Sequence, residues 1–379
     1  MSIGGSSAPR TAGPDPLHKA LKHSLAVWAV ITPAWMMIRN ALDHQFAFDV
    51  RYAFLPAAHA VVHGGSPYSG VSSRAVQEGF AFLYPPLTAY LFAPLTLMPP
   101  LVAGMLATVL VAACVPATLL VLGVRDWRCH AVAFLWLPTI AGIECANLTL
   151  PMVLGLALVW RYRRRAAVVV LVGGLIIASK LFFWPLLVWL VATRRYRVAA
   201  LTAAASAALV VLPWAAIGFA GLRGYPQLMS FVAQREGAES YSLAALAHLF
   251  VPSWSAALAI ETVVGTCLLL AVARAGRLGR DRDAFAFTIL AILAFTPLLE
   301  IHYLTALLVL IALYQRRFAA VWLAPLLIWG ASEANNGLGL NRVHVFVAVL
   351  ATLVLALSDW RPGVAQRKAP VAGAFRLSS

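Results

Sequence analysis

The sequence predicts an all-α bundle of membrane helices, and three observations lead there: composition, the length of the apolar stretches and the placing of the basic clusters. The 379 residues are 62% hydrophobic and only 11% charged, with a mean hydropathy of +0.84. A soluble domain averages about 45–50% apolar and roughly 25% charged, so a water-facing fold cannot hide this much apolar surface. Repeated apolar stretches approach the roughly 20 residues that cross a hydrocarbon core, and only helices satisfy a single backbone segment in lipid. The net charge of +15 sits in short Arg/Lys clusters between those stretches. That pattern is the positive-inside rule, and it argues against a nucleic-acid partner.

Taken in order, residues 1–22 are Gly/Ser/Pro-rich and carry Arg10, Lys19 and Lys22 ahead of the first apolar run. They are expected to be a disordered cytoplasmic segment, followed by an uncleaved membrane helix rather than a signal peptide. Residues 23–358 are expected to form one membrane domain, and 359–379 a basic cytoplasmic tail. The basic clusters at Lys19/Lys22, Arg125–Arg128, Arg161–Arg165, Arg194–Arg197, Arg274–Arg282, Arg316/Arg317 and Arg361–Lys368 share one side only if an even number of crossings separates neighbours. Between the first two lie three apolar segments, Leu25–Ile38, Tyr84–Met98 and Leu101–Gly123, so one does not cross. The middle one, opened by Tyr84-Pro85-Pro86 and closed by Pro99-Pro100, reads as a juxtamembrane or re-entrant helix inside a large outer loop, 40–100. The rest reads as hairpins: 129–143 with 147–160, 166–179 with 181–193, 198–219 with 243–273, 284–300 with 302–314, and 318–331 with 342–358. The total is about twelve crossings, both termini cytoplasmic. Several of these segments have only about 13–15 apolar residues, so their outer ends are expected to meet a polar cavity.

Ionisable groups at the outer helix ends are the functional candidates, because such groups are costly near lipid. They are Asp43, His44, Asp49, Arg51, His59 and His63 in the first loop, then Glu144, Lys180, Arg223, Arg235, Glu236, Glu239, Glu300, His302 and Glu333. Asp49 suits a helix cap or a base for a hydroxyl. Lys180 interrupts an apolar run and either snorkels to the interface or supplies a point charge for a lipid-linked phosphate. His302 is either a hydrogen-bonded structural residue or, beside Glu300, a donor to a phosphate oxygen. Cys114, Cys129, Cys145 and Cys267 show no metal-ligand spacing and read as packing residues. Asp281-Arg282-Asp283 reads as a charge-balanced turn among arginines. With no phosphate-cradling glycine loop, neither a metal, a cofactor nor a soluble nucleotide sugar is expected.

Four segments form a recognisable series: Asp49-Val-Arg-Tyr, Gly64-Gly-Ser-Pro67-Tyr68, Phe82-Leu-Tyr84-Pro85-Pro86-Leu and Pro94-Leu-Thr-Leu-Met-Pro99. Together they resemble glycosyltransferase family 87, the polyprenyl-phosphate-mannose-dependent mannosyltransferases with the GT-C membrane fold. Further segments fit: Ser179-Lys180 ahead of Pro185, and Pro297 through Glu300-Ile-His302-Tyr303. Two depart from the family pattern, since Glu144-Cys-Ala-Asn147 stands where Gly-Gln-x-Asn is usual, and Glu239-Ser-Tyr-Ser242 where an Asn-Gln-Ser run is common. The resemblance implies an inverting, metal-independent transfer of a hexose, with mannose the expected sugar. The donor is a polyprenyl-phosphate sugar and the acceptor a lipid or glycan at the outer face of a cell membrane. It implies Asp49 as general base, Lys180, His302 and Arg51 as partners of the donor phosphate, and Tyr68, Tyr84, Glu144, Asn147 and Glu300 as substrate-binding residues. A secondary transporter or lipid flippase is the rival reading, and it requires ionisable groups near the bilayer midplane instead.

Overall fold

The computed structural model describes residues 16–42, 45–331 and 339–358. Asp43, His44, Glu333, residues 1–15 and the basic tail 359–379 lie outside the described residues. The described chain is all-α, with no strand among the described residues. Five helices are long and apolar enough to span a membrane: His23–Leu42, Pro100–Val121, Tyr196–Ala216, Trp254–Arg277 and Leu340–Leu357. A sixth span arises if the pair Leu137–Glu144 and Thr149–Arg161, bent by 119°, counts as one.

The remaining apolar segments are shorter than the hairpin pattern suggests, and their sequences show why. The segment expected to cross at 318–331 is two 3-10 pieces, Ala320–Trp322 and Ala324–Gly330, with Pro325 near the start of the second. At about 2.0 Å per residue, seven 3-10 residues advance only about 14 Å. The 302–314 segment divides into a 3-10 turn, Ile301–Ala306, and a helix, Leu307–Tyr314. The 243–273 segment breaks after Ala247 and restarts at Trp254, where the Ser253 hydroxyl caps the new helix by accepting from the Ala256 N–H. The first helix begins at Pro16, so residues 16–22 are helical where disorder was expected; proline fits a first helical turn, where its missing N–H is no loss. The segment between Tyr84 and Pro99 is a short helix, Pro86–Phe92, running into a 3-10 turn, Ala93–Leu97, ahead of the long helix at Pro100.

Close helix packing places the ends. The Ala166–Ser179 helix lies against Tyr196–Ala216, where Gly173 and Gly174 face Thr202 and Ala205 so closely that a Cβ would crowd them. Small residues of this kind let helix backbones approach in lipid. Trp136 and Trp322 are both buried and stack at 5.9 Å, and the Trp136 indole donates to the Trp322 carbonyl at 3.0 Å. At one end of the bundle Asp281 accepts from Arg163, Arg195 and the Trp189 indole. Asp283 accepts from Arg280 and Tyr314, so Asp281-Arg282-Asp283 ties basic loops together. From that end Thr149–Arg161 and Ala166–Ser179 run to the other, each about 20 Å long. Asn147, Thr149 and Lys180 sit at this second end.

Candidate active site

Asp49 opens a π-helical turn, Asp49–Phe54, a wide coil that is rare and occurs often at functional positions. Just before it Ala47 has φ of 50°, and Ala146, just before Asn147, has φ of 52°. Neither is glycine, so each left-handed residue costs about 1–3 kcal/mol that the surroundings must offset. Two backbone hydrogen bonds hold these strained loops together. The Ala47 N–H donates to the Glu144 carbonyl at 2.8 Å, and the Asp49 N–H to the Cys145 carbonyl at 3.2 Å.

That clamp brings the Asn147 side chain to the Asp49 carboxylate, to which Asn147 Nδ2 donates at Oδ2. The amide has only one workable orientation. Its Oδ1 accepts from the Thr149 backbone N–H at 2.8 Å and from the Thr149 hydroxyl at 2.7 Å, which turns Nδ2 toward the acid. The Thr149 hydroxyl in turn accepts from Lys180 Nζ at 3.2 Å.

Lys180 ends the Ala166–Ser179 helix in an extended conformation, φ −139° and ψ 106°, which directs its side chain inward. It is 4% exposed, so it does not snorkel. Its ammonium lies 4.0 Å from the Tyr303 ring centroid, 5.0 Å from Tyr84 and 5.6 Å from Phe182, distances at which a ring face attracts a cation. Burial lowers the Lys180 pKa from 10.5 to about 7, against the pull of the Asp49 and Glu300 carboxylates. Burial likewise raises Asp49 from 3.8 to about 6, opposed by the Asn147 hydrogen bond and the Lys180 charge. Each group is thus poised near neutrality, the usual setting for acid–base work.

The other sequence candidates divide. Glu300 precedes the 301–306 turn, pinned by the Tyr241 N–H donating to the Leu299 carbonyl at 2.8 Å. Burial raises its pKa to about 7, the Asp49 charge adding to the rise and the Lys180 ammonium opposing it. His302 is buried, packs edge-to-face on Tyr303 at 4.5 Å, and its Nε2 has no hydrogen-bond partner among the described residues. Tyr84 shares a cavity of about 250 Å³ with Ser179, Lys180, Tyr225, Met229 and Tyr303. Tyr68 stands one layer back, where its hydroxyl donates to the Tyr84 carbonyl at 2.8 Å and its ring stacks on Trp214 at 5.2 Å. Glu144 contributes its carbonyl to the clamp, and its side chain is buried. Arg51 is not brought to Lys180. Two residues on from Asp49 it falls on nearly the opposite side of the coil, where Nη1 donates to the Phe46 carbonyl at 3.2 Å.

Sequence reasoning missed Thr149 and undervalued Tyr303. Asn147-Leu-Thr149 at a helix start is a pattern in which asparagine and threonine side chains bond local backbone, and it was legible. Tyr303 was hidden by its neighbour, because a histidine draws attention that belonged to the ring touching the ammonium.

Fold and site together describe a membrane-embedded helical protein with a carboxylic acid able to take a proton beside an amine able to hold an anion. The chain belongs to glycosyltransferase family 87, whose sequence model matches residues 82–300, more than half its length. The matched stretch contains Tyr84, Glu144, Asn147, Lys180 and Glu300; Asp49, Arg51 and Tyr68 precede it, and His302 follows it by two residues. No curated protein and no solved structure matches the chain. Family membership makes it a membrane glycosyltransferase that binds a sugar donor and an acceptor.

Proposed function

We propose that the protein is a multi-pass GT-C enzyme of about twelve crossings with both termini cytoplasmic. It transfers mannose from a polyprenyl-phosphate donor to a lipid or glycan acceptor at the outer face of the cell membrane. In this reading Asp49 is the general base: the acceptor hydroxyl oxygen attacks the anomeric carbon, its proton passes to the Asp49 carboxylate, and the bond to phosphate breaks with inversion. The electron pair leaves with the polyprenyl phosphate, which needs cationic or hydrogen-bonding partners rather than a proton, and Lys180 provides one. His302 takes the same role in this reading, which its buried Nε2, without a hydrogen-bond partner among the described residues, supports. Arg51 is left out of the donor site because it faces away from Lys180.

The observation that carries the reading is the hydrogen-bonded line Asp49–Asn147–Thr149–Lys180, which holds a carboxylate at a fixed spacing from a cation that lines a cavity. A lipid-linked donor is further supported by an apolar cleft of about 300 Å³ that starts at Leu299, next to Glu300, and continues along Leu293, Val345 and Leu353. The test is transfer of radiolabelled mannose from polyprenyl-phosphate-mannose in membranes holding matched amounts of wild type or Asp49→Asn. Loss of transfer in the variant is the expected result. Equal transfer by both proteins removes Asp49 from the mechanism, and transfer from a donor with a different hexose alone replaces mannose.

A further inference from the structure

The first helix and Pro100–Val121 enclose a second groove of about 610 Å³, lined by Met37, Ile38, Arg51, Leu101, Met105 and Thr108 among others. Its walls face lipid rather than water: Met105 is 52% and Val109 65% exposed, and both are apolar. Polar groups nevertheless point into it. Arg51 Nε is buried with no hydrogen-bond partner, and its guanidinium has no carboxylate partner among the described residues. Thr108, 2% exposed, presents a hydroxyl that is likewise unpartnered. The space is built for the arginine, since a Cβ at Gly104 would lie only 3.4 Å from Arg51 Cγ and 3.0 Å from Ala47 Cβ.

We infer that this groove binds an anionic phospholipid. Its phosphate lies on the Arg51 guanidinium within reach of Thr108, and one acyl chain lies along Leu101–Val109. A planar guanidinium suits phosphate oxygens geometrically as well as by charge. Eight helical steps from 101 to 109 give about 12 Å of apolar wall for the chain. A zwitterionic lipid offers the same phosphate with a cation beside it, so the isolated arginine selects for net negative headgroups. This site lies on the side of the Asp49–Phe54 turn away from Lys180 and is independent of the donor proposed above.

The test uses the full chain in nanodiscs of phosphatidylglycerol and phosphatidylcholine, released into mild detergent, with retained lipid counted by native mass spectrometry. Wild type, Arg51→Lys and Asp49→Asn are expected to keep one phosphatidylglycerol per chain. Arg51→Gln, and Met105→Trp, which fills the groove, are expected to lose it by about tenfold or more. Thermal unfolding of each variant in lipid-free detergent checks that loss does not report a damaged fold. Equal phosphatidylglycerol retention by wild type and Arg51→Gln overturns the site, as does equal retention of phosphatidylcholine by wild type or no retained lipid at all. Loss in Asp49→Asn alone would also overturn it, because the lipid would then belong to the Asp49 site.

Discussion

Lys180 and Asp49 are joined through two intermediates, the ammonium donating to the Thr149 hydroxyl, that hydroxyl to the Asn147 carbonyl oxygen, and the Asn147 amide to the carboxylate. The two charges are therefore held apart at a fixed spacing, with the cavity beside Tyr84 and Tyr303 next to the cation.

Asp49→Asn is expected to reduce transfer about 10²- to 10⁴-fold, the range for a lost general base. Stability should move the other way. The folded pKa of about 6 lies above the ordinary carboxylate value of 3.8, so the cost of burying the charge is absent below about pH 4 and is complete once pH has risen through 6. The variant should therefore show a higher Tm than wild type at pH 8, and the gap should close only as pH falls below about 4, where the acid is protonated folded and unfolded alike. A lower Tm at pH 8 would contradict the buried-carboxylate assignment.

The pH profile of kcat/KM should be bell-shaped. Its acid limb reports protonation of Asp49 near pH 6 and its alkaline limb deprotonation of Lys180 near pH 7. A bound phosphate favours the ammonium, so in the kcat profile the alkaline limb should move to higher pH. Identical alkaline limbs in the two profiles would separate Lys180 from the donor.

Thr149→Val keeps the shape of the side chain but strands both neighbours: Lys180 loses its acceptor and Asn147 loses a donor. Transfer should drop about tenfold to a hundredfold, as expected for small misplacements of reacting groups. The alkaline limb should shift to lower pH, because a hydrogen bond favouring the charged amine is gone. Thr149→Ser should restore both readouts, which a purely structural effect of the lost methyl would not.

Tyr68→Phe removes the hydroxyl that donates to the Tyr84 carbonyl while retaining the stack on Trp214. The expected cost is about 0.5–1.5 kcal/mol, read as a lower Tm, with KM rising and kcat nearly unchanged. A loss of kcat comparable to that of Asp49→Asn would place Tyr68 among the reacting groups instead.

Composition and basic clustering made the helical membrane class legible, and the paired prolines marked the short helix after Tyr84 correctly. The lengths and continuity of the apolar helices were less legible. Hydropathy cannot distinguish a helix from a 3-10 segment, and Ala324–Gly330 is as apolar as a true span of that length. At the site, Asp49 and Lys180 stood out because isolated charges among apolar residues are costly. The direction of Arg51 was not legible, because two steps along a helical coil from Asp49 turn a side chain to the other side and only the coil's geometry shows it. Thr149 escaped because a threonine in an apolar helix carries no charge to notice.

The line from Lys180 to Asp49 contains an amide, and an amide does not pass protons: its NH₂ only donates and its carbonyl oxygen only accepts. It is not a proton wire. The two ends sense one another by polarisation alone, so the ammonium can stay charged throughout a turnover in which the acid gains and loses a proton. A proton gained by Asp49 must therefore come and go by a route other than the line to Lys180, which makes the two ends electrostatic neighbours and not partners in proton transfer.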